Sequence, residues 1–158
     1  MKNILIILSW LTAGVLITSC FDDPGTEIVW GDQAYLELQD AGKPNPTVSK
    51  SFTKDVAPPT PNVPFSSQVN IMGKQSGSAI NVTYQIDASS TAVAGVHYKD
   101  LSGGTISIPA NESSATINFE AIPDNLTTSS VTIVVKLTGG DLPLSKYIQV
   151  TYSIKSTN

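Results

Sequence analysis

The run Ile80-Asn81-Val82-Thr83-Tyr84-Gln85-Ile86 decides how this chain is read. Apolar residues fall at every second position, with Asn81, Thr83 and Gln85 between them. That period of two puts alternate side chains on opposite faces of a strand, one buried and one wet. The pattern recurs downstream. Ala115, Ile117, Phe119 and Ala121 alternate with Thr116, Asn118 and Glu120. Val131, Ile133, Val135 and Leu137 alternate with Thr132, Val134 and Lys136, and Ile148, Val150, Tyr152 and Ile154 do so with Gln149, Thr151 and Ser153. Shorter cases are Val69 with Ile71, Ile106 with Ile108, and Ala34-Tyr35-Leu36-Glu37-Leu38. Val, Ile, Thr and Tyr suit a pleated, half-buried surface.

Turn residues separate the runs: Gly73 with Gly77, Gly103-Gly104, Asn111-Glu112, Pro123-Asp124-Asn125 and Gly139-Gly140. No segment after residue 20 sustains a helical period. Short strands spaced by turns predict an all-β chain, a single antiparallel β-sandwich of the immunoglobulin-like kind over 34–156. Six of the ten prolines lie between Pro44 and Pro64. Each removes a ladder donor, so 41–63 reads as a Pro-rich loop, or as an interrupted edge with a strand near Ser49–Lys54.

Composition excludes several functions. The 158 residues suit one domain and carry a net charge of −4. Nine lysines and no arginine leave no basic footprint, so no nucleic-acid partner is expected. One cysteine forbids an intramolecular disulfide, and one histidine, His97, removes histidine-rich metal sites.

The N-terminus reads as an address. Lys2 precedes an apolar run over residues 4–17, short for a membrane span, which needs about 20 such residues. It ends in Leu16-Ile17-Thr18-Ser19-Cys20, which resembles a bacterial lipobox. The resemblance implies that 1–19 form a lipoprotein signal peptide, that Cys20 carries diacylglyceryl, and that 20–33 are a lipidated tether. Removing 1–19 takes Lys2 away and leaves eight lysines against 13 acids. Such a surface does not bind anionic lipid by charge, so the lipid on Cys20 would be the link to the membrane. Asp22 and Asp23 resemble the surface-export signal of Bacteroidetes lipoproteins, which implies outer-membrane anchoring with exposure at the cell surface. Two solvated acids in a tether would read the same.

A second resemblance covers about 60 residues. Ala92-Val93-Ala94-Gly95-Val96-His97-Tyr98, Gly103-Gly104-Thr105-Ile106-Ser107-Ile108, Asn111-Glu112, Ala115-Thr116-Ile117-Asn118-Phe119 and Ile122-Pro123-Asp124-Asn125 stand in the order of a Calx-β domain. Similar corners occur in Bacteroidetes lipoproteins. The resemblance implies a tight corner at Gly95, an inward Tyr98, and a left-handed turn at Asn111. Some Calx-β domains hold Ca²⁺ with clustered carboxylates. Here His97 replaces the corner aspartate, and Asp124 is followed by Asn125-Leu126-Thr127-Thr128 rather than by glutamates. Asp87 and Asp100 would have to approach to reach the 6–8 oxygens calcium takes. No metal and no cofactor is expected.

Catalysis finds no constellation. Asp100 follows His97 by three residues, but no serine has a nucleophile-elbow context. Glu37, Glu112 and Glu120 read as solvated acids, and the glycine pairs lack the lysine of a phosphate loop. Of the aromatics Trp30, Tyr35, Phe65, Tyr98 and Tyr147, the candidates for ligand binding are Trp30, Tyr35 and Tyr147, since rings on a surface stack on sugars. The expectation is a non-catalytic envelope lipoprotein, a binding module for a glycan or an envelope protein; the alternative is a structural spacer or subunit of a surface complex.

Overall fold

The computed structural model describes residues 33–42, 46–55 and 59–158. Cys20, Asp22, Asp23 and Trp30 lie outside the described residues. The strands are β1 (Ala34–Leu38), β2 (Thr47–Phe52), β3 (Val63–Gly73), β4 (Ile80–Ile86), β5 (Tyr98–Asp100), β6 (Thr105–Ile108), β7 (Ser114–Ala121), β8 (Val131–Gly140) and β9 (Gln149–Ser156). Short 3₁₀ turns cover Gln39–Ala41 and Pro123–Asn125. One sheet has the order β1-β3-β7-β5 and the other β2-β9-β8-β4-β6.

The alternating residues do what their period requires. Val69, Ile71, Ile117, Phe119 and Ala121 of the first sheet meet Ile80, Val82, Tyr84, Ile133, Val135, Leu137, Val150, Tyr152 and Ile154 of the second. Each fully buried Ile, Leu or Phe contributes roughly 1.5–3 kcal/mol relative to exposure. Phe119 sits at the centre of an aromatic cluster. Its ring stacks on Phe65 at 5.2 Å and meets Tyr98 and Tyr84 edge-on at 6.1 and 6.5 Å.

The sheets are not purely antiparallel. β2 runs parallel to β9, from Thr47 opposite Thr151 to Phe52 opposite Ser156. The first edge of the chain is thus divided: β1 belongs to one sheet and β2 to the other. Sequence alone leaves β2 faint, because only Val48 and Phe52 are apolar there. The Pro-rich stretch also gives up its last residue to β3, which begins at Val63 and passes through Pro64. Pro64 pairs with Glu120 of β7, while β1 begins to pair only at Val69. With a neighbour on one flank only, the missing donor is tolerated.

Gly139-Gly140 is strand rather than turn. Thr83 faces Gly139 and Tyr84 faces Leu137, so Thr138 is the extra residue of a bulge. A Cβ on Gly140 would lie 2.6 Å from the Asn81 carbonyl oxygen and 2.7 Å from Leu36 Cδ1. The pair allows close approach at a bulge instead of reversing the chain. Val134, expected on the polar face, is buried apart from the core cluster, where residues 87–92 run along β8. Asp87 N–H and Ala92 N–H donate to Val134 O and Thr132 O there, each at 2.8–2.9 Å.

Candidate functional site

The outward face of β1 carries Tyr35 and Glu37, and Tyr35 lies opposite Met72 of β3. The free flank of β1 is closed by the loop before β9. Leu36 N–H donates to Pro143 O at 2.9 Å, Ser145 N–H to Leu36 O at 2.9 Å, and Leu38 N–H to Tyr147 O at 2.8 Å. This short parallel pairing brings Tyr147 beside Tyr35, although they stand at opposite ends of the domain's sequence. Together with Glu37, Met72, Ser145 and Lys146 they line a shallow cleft of 230 Å³.

Each wall has a cause. The Tyr35 hydroxyl donates to Gln33 Oε1 at 2.7 Å, which fixes the ring at the start of the strand. Tyr147 N–H donates to Ser145 Oγ at 3.0 Å, which tightens the loop under the second ring. Lys146 Nζ stands 4.9 Å from the Tyr147 ring centroid, a cation–π contact at the rim. Met72, 37% exposed, supplies a soft apolar floor. The cleft therefore offers two half-exposed phenol rings with an ammonium and a carboxylate at its border. That arrangement can stack on an apolar ring face and hydrogen-bond hydroxyls around it.

Of the other aromatics considered for a platform, Phe65 and Tyr98 are core residues, 9% and 3% exposed. They answer the inward pattern of their strands. A second hollow of 290 Å³ lies among Pro64, Phe65, Ser66, Leu101, Asn118 and Phe119. Sequence reading missed it, and its two rings are turned into the core.

The corner at residues 92–98 is built as its resemblance implies. Gly95 has φ +78°, and Asn111 has φ +63° in its turn. His97 does structural work: its Nδ1 accepts Val93 N–H at 2.9 Å, and its carbonyl accepts Ile122 N–H at 3.0 Å. The three aspartates considered for calcium are each engaged locally. Asp100 Oδ1 accepts the Tyr84 hydroxyl, Ser102 N–H at 3.0 Å and Gly103 N–H at 3.1 Å. Asp124 accepts Thr60 N–H and the Thr60 hydroxyl, and Asp87 accepts Ser89 N–H and its hydroxyl. The Thr60 bonds hold the Asp124 carboxyl below its ordinary value, and the Ser89 bonds do the same for Asp87. Among the described residues no three acidic, histidine or cysteine side chains gather as a metal site. Burial pushes the Tyr84, Tyr152 and Tyr98 hydroxyls up, so they stay neutral in the folded protein.

No family model matches the chain, and no curated protein does. Solved structures do. The apo form of a Calx CBD1 domain superposes with a TM-score of 0.56 at 15% identity, covering 80% of this chain and 100% of that one. A Calx CBD2 domain gives 0.57 at 13% identity, covering 81% and 91%. A two-domain protein of unknown function from Bacteroides fragilis gives 0.52 at 11% identity, covering 79% of this chain and 46% of that one. At such identity the likeness concerns the backbone alone, and it is to the Calx-β, immunoglobulin-like sandwich that the fold of this chain is similar.

Proposed function

We propose that this protein is a non-catalytic lipoprotein of the outer membrane, held by lipid on Cys20 and turned outward by Asp22 and Asp23. Its sandwich works as a binding module that captures glycans in the Tyr35–Tyr147 cleft. One observation carries the second part: two tyrosines far apart in sequence line one surface cleft with unburied rings. Stacking needs such rings, and the flanking Glu37, Ser145 and Lys146 supply hydrogen-bonding groups for hydroxyls. The address rests on the sequence of residues 1–23. Use as a spacer that pairs strands with a partner is less well supported, since the edge strand β2 carries Lys50, a residue type that discourages edge pairing.

The test is a titration of the full chain with a panel of soluble envelope and host polysaccharides. Binding is expected, with Tyr35→Ala and Tyr147→Ala each weakening it at least about tenfold, as hot-spot aromatics do. Failure of the whole panel, or binding indifferent to both substitutions, refutes glycan capture at this cleft. Incorporation of labelled fatty acid that persists in Cys20→Ser would refute the anchor. Survival of the protein on intact cells under external protease would refute outward display.

A further inference from the structure

Both hollows open on the same face of the molecule. Tyr35, Glu37 and Met72 point outward from β1 and β3 at the first. Pro64, Ser66 and Asn118 point outward from β3 and β7 at the second. Leu101 N–H donates to Asn118 O at 2.9 Å, which carries the pairing one residue past β5 and sets the exposed Leu101 side chain beside Asn118. Met72 and Ser66 lie six residues apart on β3, so the two hollows stand about 20 Å apart along that strand.

The ground between them is polar and uncharged. Alternation turns Ser66, Gln68 and Asn70 of β3 outward, in register with Asn118, Thr116 and Ser114 of β7. Gln68 Nε2 donates to Asn70 Oδ1 at 2.8 Å, and the Thr116 hydroxyl donates to Asn118 Oδ1 at 3.2 Å, so the amide planes are held. Gln68 Oε1, Asn70 Nδ2 and Asn118 Nδ2 have no partner among the described residues. Fixed amides offer donors and acceptors side by side, and a sugar hydroxyl both gives and takes a hydrogen bond. Charge is balanced at either end. Glu37 and Lys146 line one cleft, and Glu120 stands opposite Lys99 in the register of β7 and β5. An uncharged chain of hydroxyls meets no repulsion there. A protein partner is served less well, because the centre of a protein interface is apolar and aromatic, and the centre of this face is amide and hydroxyl.

We propose that the outer face of the β1-β3-β7-β5 sheet is an extended binding surface for a linear, uncharged polysaccharide. Its first subsite is the Tyr35–Tyr147 cleft, its middle is the row of Gln68, Asn70, Thr116 and Asn118, and its second subsite is the Leu101 hollow. The inference rests on the reading of the cleft as a glycan site and adds the class of glycan, an unbranched neutral chain laid along the strands. Two subsites filled by one ligand act at high effective concentration, so affinity rises with chain length until both are occupied.

The experiment is calorimetric titration of the full chain with cello-, xylo- and manno-oligosaccharides from disaccharide to hexasaccharide, and with oligogalacturonates as the charged comparison. At least one neutral series is expected to bind, its hexasaccharide at least about tenfold tighter than its disaccharide. Gln68→Ala and Asn118→Ala should each weaken the hexasaccharide about three- to tenfold, one hydrogen bond apiece, and leave the disaccharide alone. Leu101→Ser should act in the same direction, and Gln85→Ala on the outward face of the other sheet should change neither. Circular dichroism confirms that each variant is folded, and Asn118→Ala and Leu101→Ser, at exposed positions, carry the test if Gln68→Ala is not. Equal affinity for every length, or a length gain that survives these substitutions, overturns the extended face; if Tyr35→Ala still weakens binding, capture at the cleft stands without it. Tighter binding of the oligogalacturonates overturns the uncharged class. Failure of every neutral series overturns the proposal as well, and the wider polysaccharide panel then decides capture by itself.

Discussion

Removing the Asp100 carboxylate separates a structural role from a metal-binding one. Asp100 closes β5, and one of its oxygens accepts three hydrogen bonds: from the Tyr84 hydroxyl and from Ser102 N–H and Gly103 N–H. Tyr84 is 4% exposed, so Asp100→Ala strands a buried hydroxyl at a cost of about 1–3 kcal/mol. The two backbone donors sit at a partly solvated turn and lose about 0.5–1 kcal/mol each. The sum is about 3 kcal/mol, which for a domain of this size lowers Tm by roughly 10–15 °C. Asp100→Asn keeps an oxygen in place and gives up only the charge assistance, about 1 kcal/mol. Thermal and urea unfolding, each run with EDTA and with millimolar Ca²⁺, provide the measurement. Both variants are expected to show the same loss in either condition, and the parent protein the same Tm. The reasoning fails if Asp100→Ala unfolds within 0.5 kcal/mol of the parent, an ordinary surface effect. It fails equally if calcium raises the parent Tm and Asp100→Asn abolishes that rise, because the carboxylate would then be a ligand.

Three further expectations rest on single contacts. Gly140→Ala drives a methyl group against the Asn81 carbonyl and Leu36, and should cost about 1–3 kcal/mol in urea unfolding, whereas Gly77→Ala meets open space and should cost far less. The Thr60 bonds depress the Asp124 carboxyl, so the stability it contributes is present above its unfolded value near 3.9 and is lost as pH falls through the lower folded value. Acid titration of stability should therefore flatten in Asp124→Asn, and an unchanged acid limb would remove this clamp from the account. His97→Ala should cost about 1 kcal/mol by leaving Val93 N–H without its acceptor, while His97→Asp restores one; equal losses in both would show that the imidazole works through packing instead.

Much of the sandwich is legible in the sequence because most of its strands are buried on one face only. β4, β7 and β9 follow their alternation, β8 does so apart from the buried Val134, and Asn111 and Gly95 mark left-handed positions by residue type. The failures have physical causes. β2 is held by backbone pairing to β9 and offers little apolar alternation to read. Gly139-Gly140 has the composition of a turn, but the close approach that explains it comes from Asn81 and Leu36, which are remote in sequence. Exposed tyrosines could be singled out as candidates, yet their meeting depends on the pairing of Leu36 with Leu144. Phe65 offers the same ring chemistry in the sequence and is turned inward by strand parity in the folded sheet, while Tyr98 lies inward as the corner resemblance implies.

The division of the first edge between two sheets has a mechanical consequence. Tension arriving from the N-terminal side reaches β1 first. There the load is shared between the bonds to β3 on one flank and those to Pro143–Tyr147 on the other. A pull along the strand stretches both rows together rather than opening one bond at a time. If β1 yields, β2 remains clipped to β9 in the opposite sheet by a second, separate row. The domain would thus yield in two steps under force, the first drawing Leu36 and Leu38 out of the core while β2 stays paired with β9.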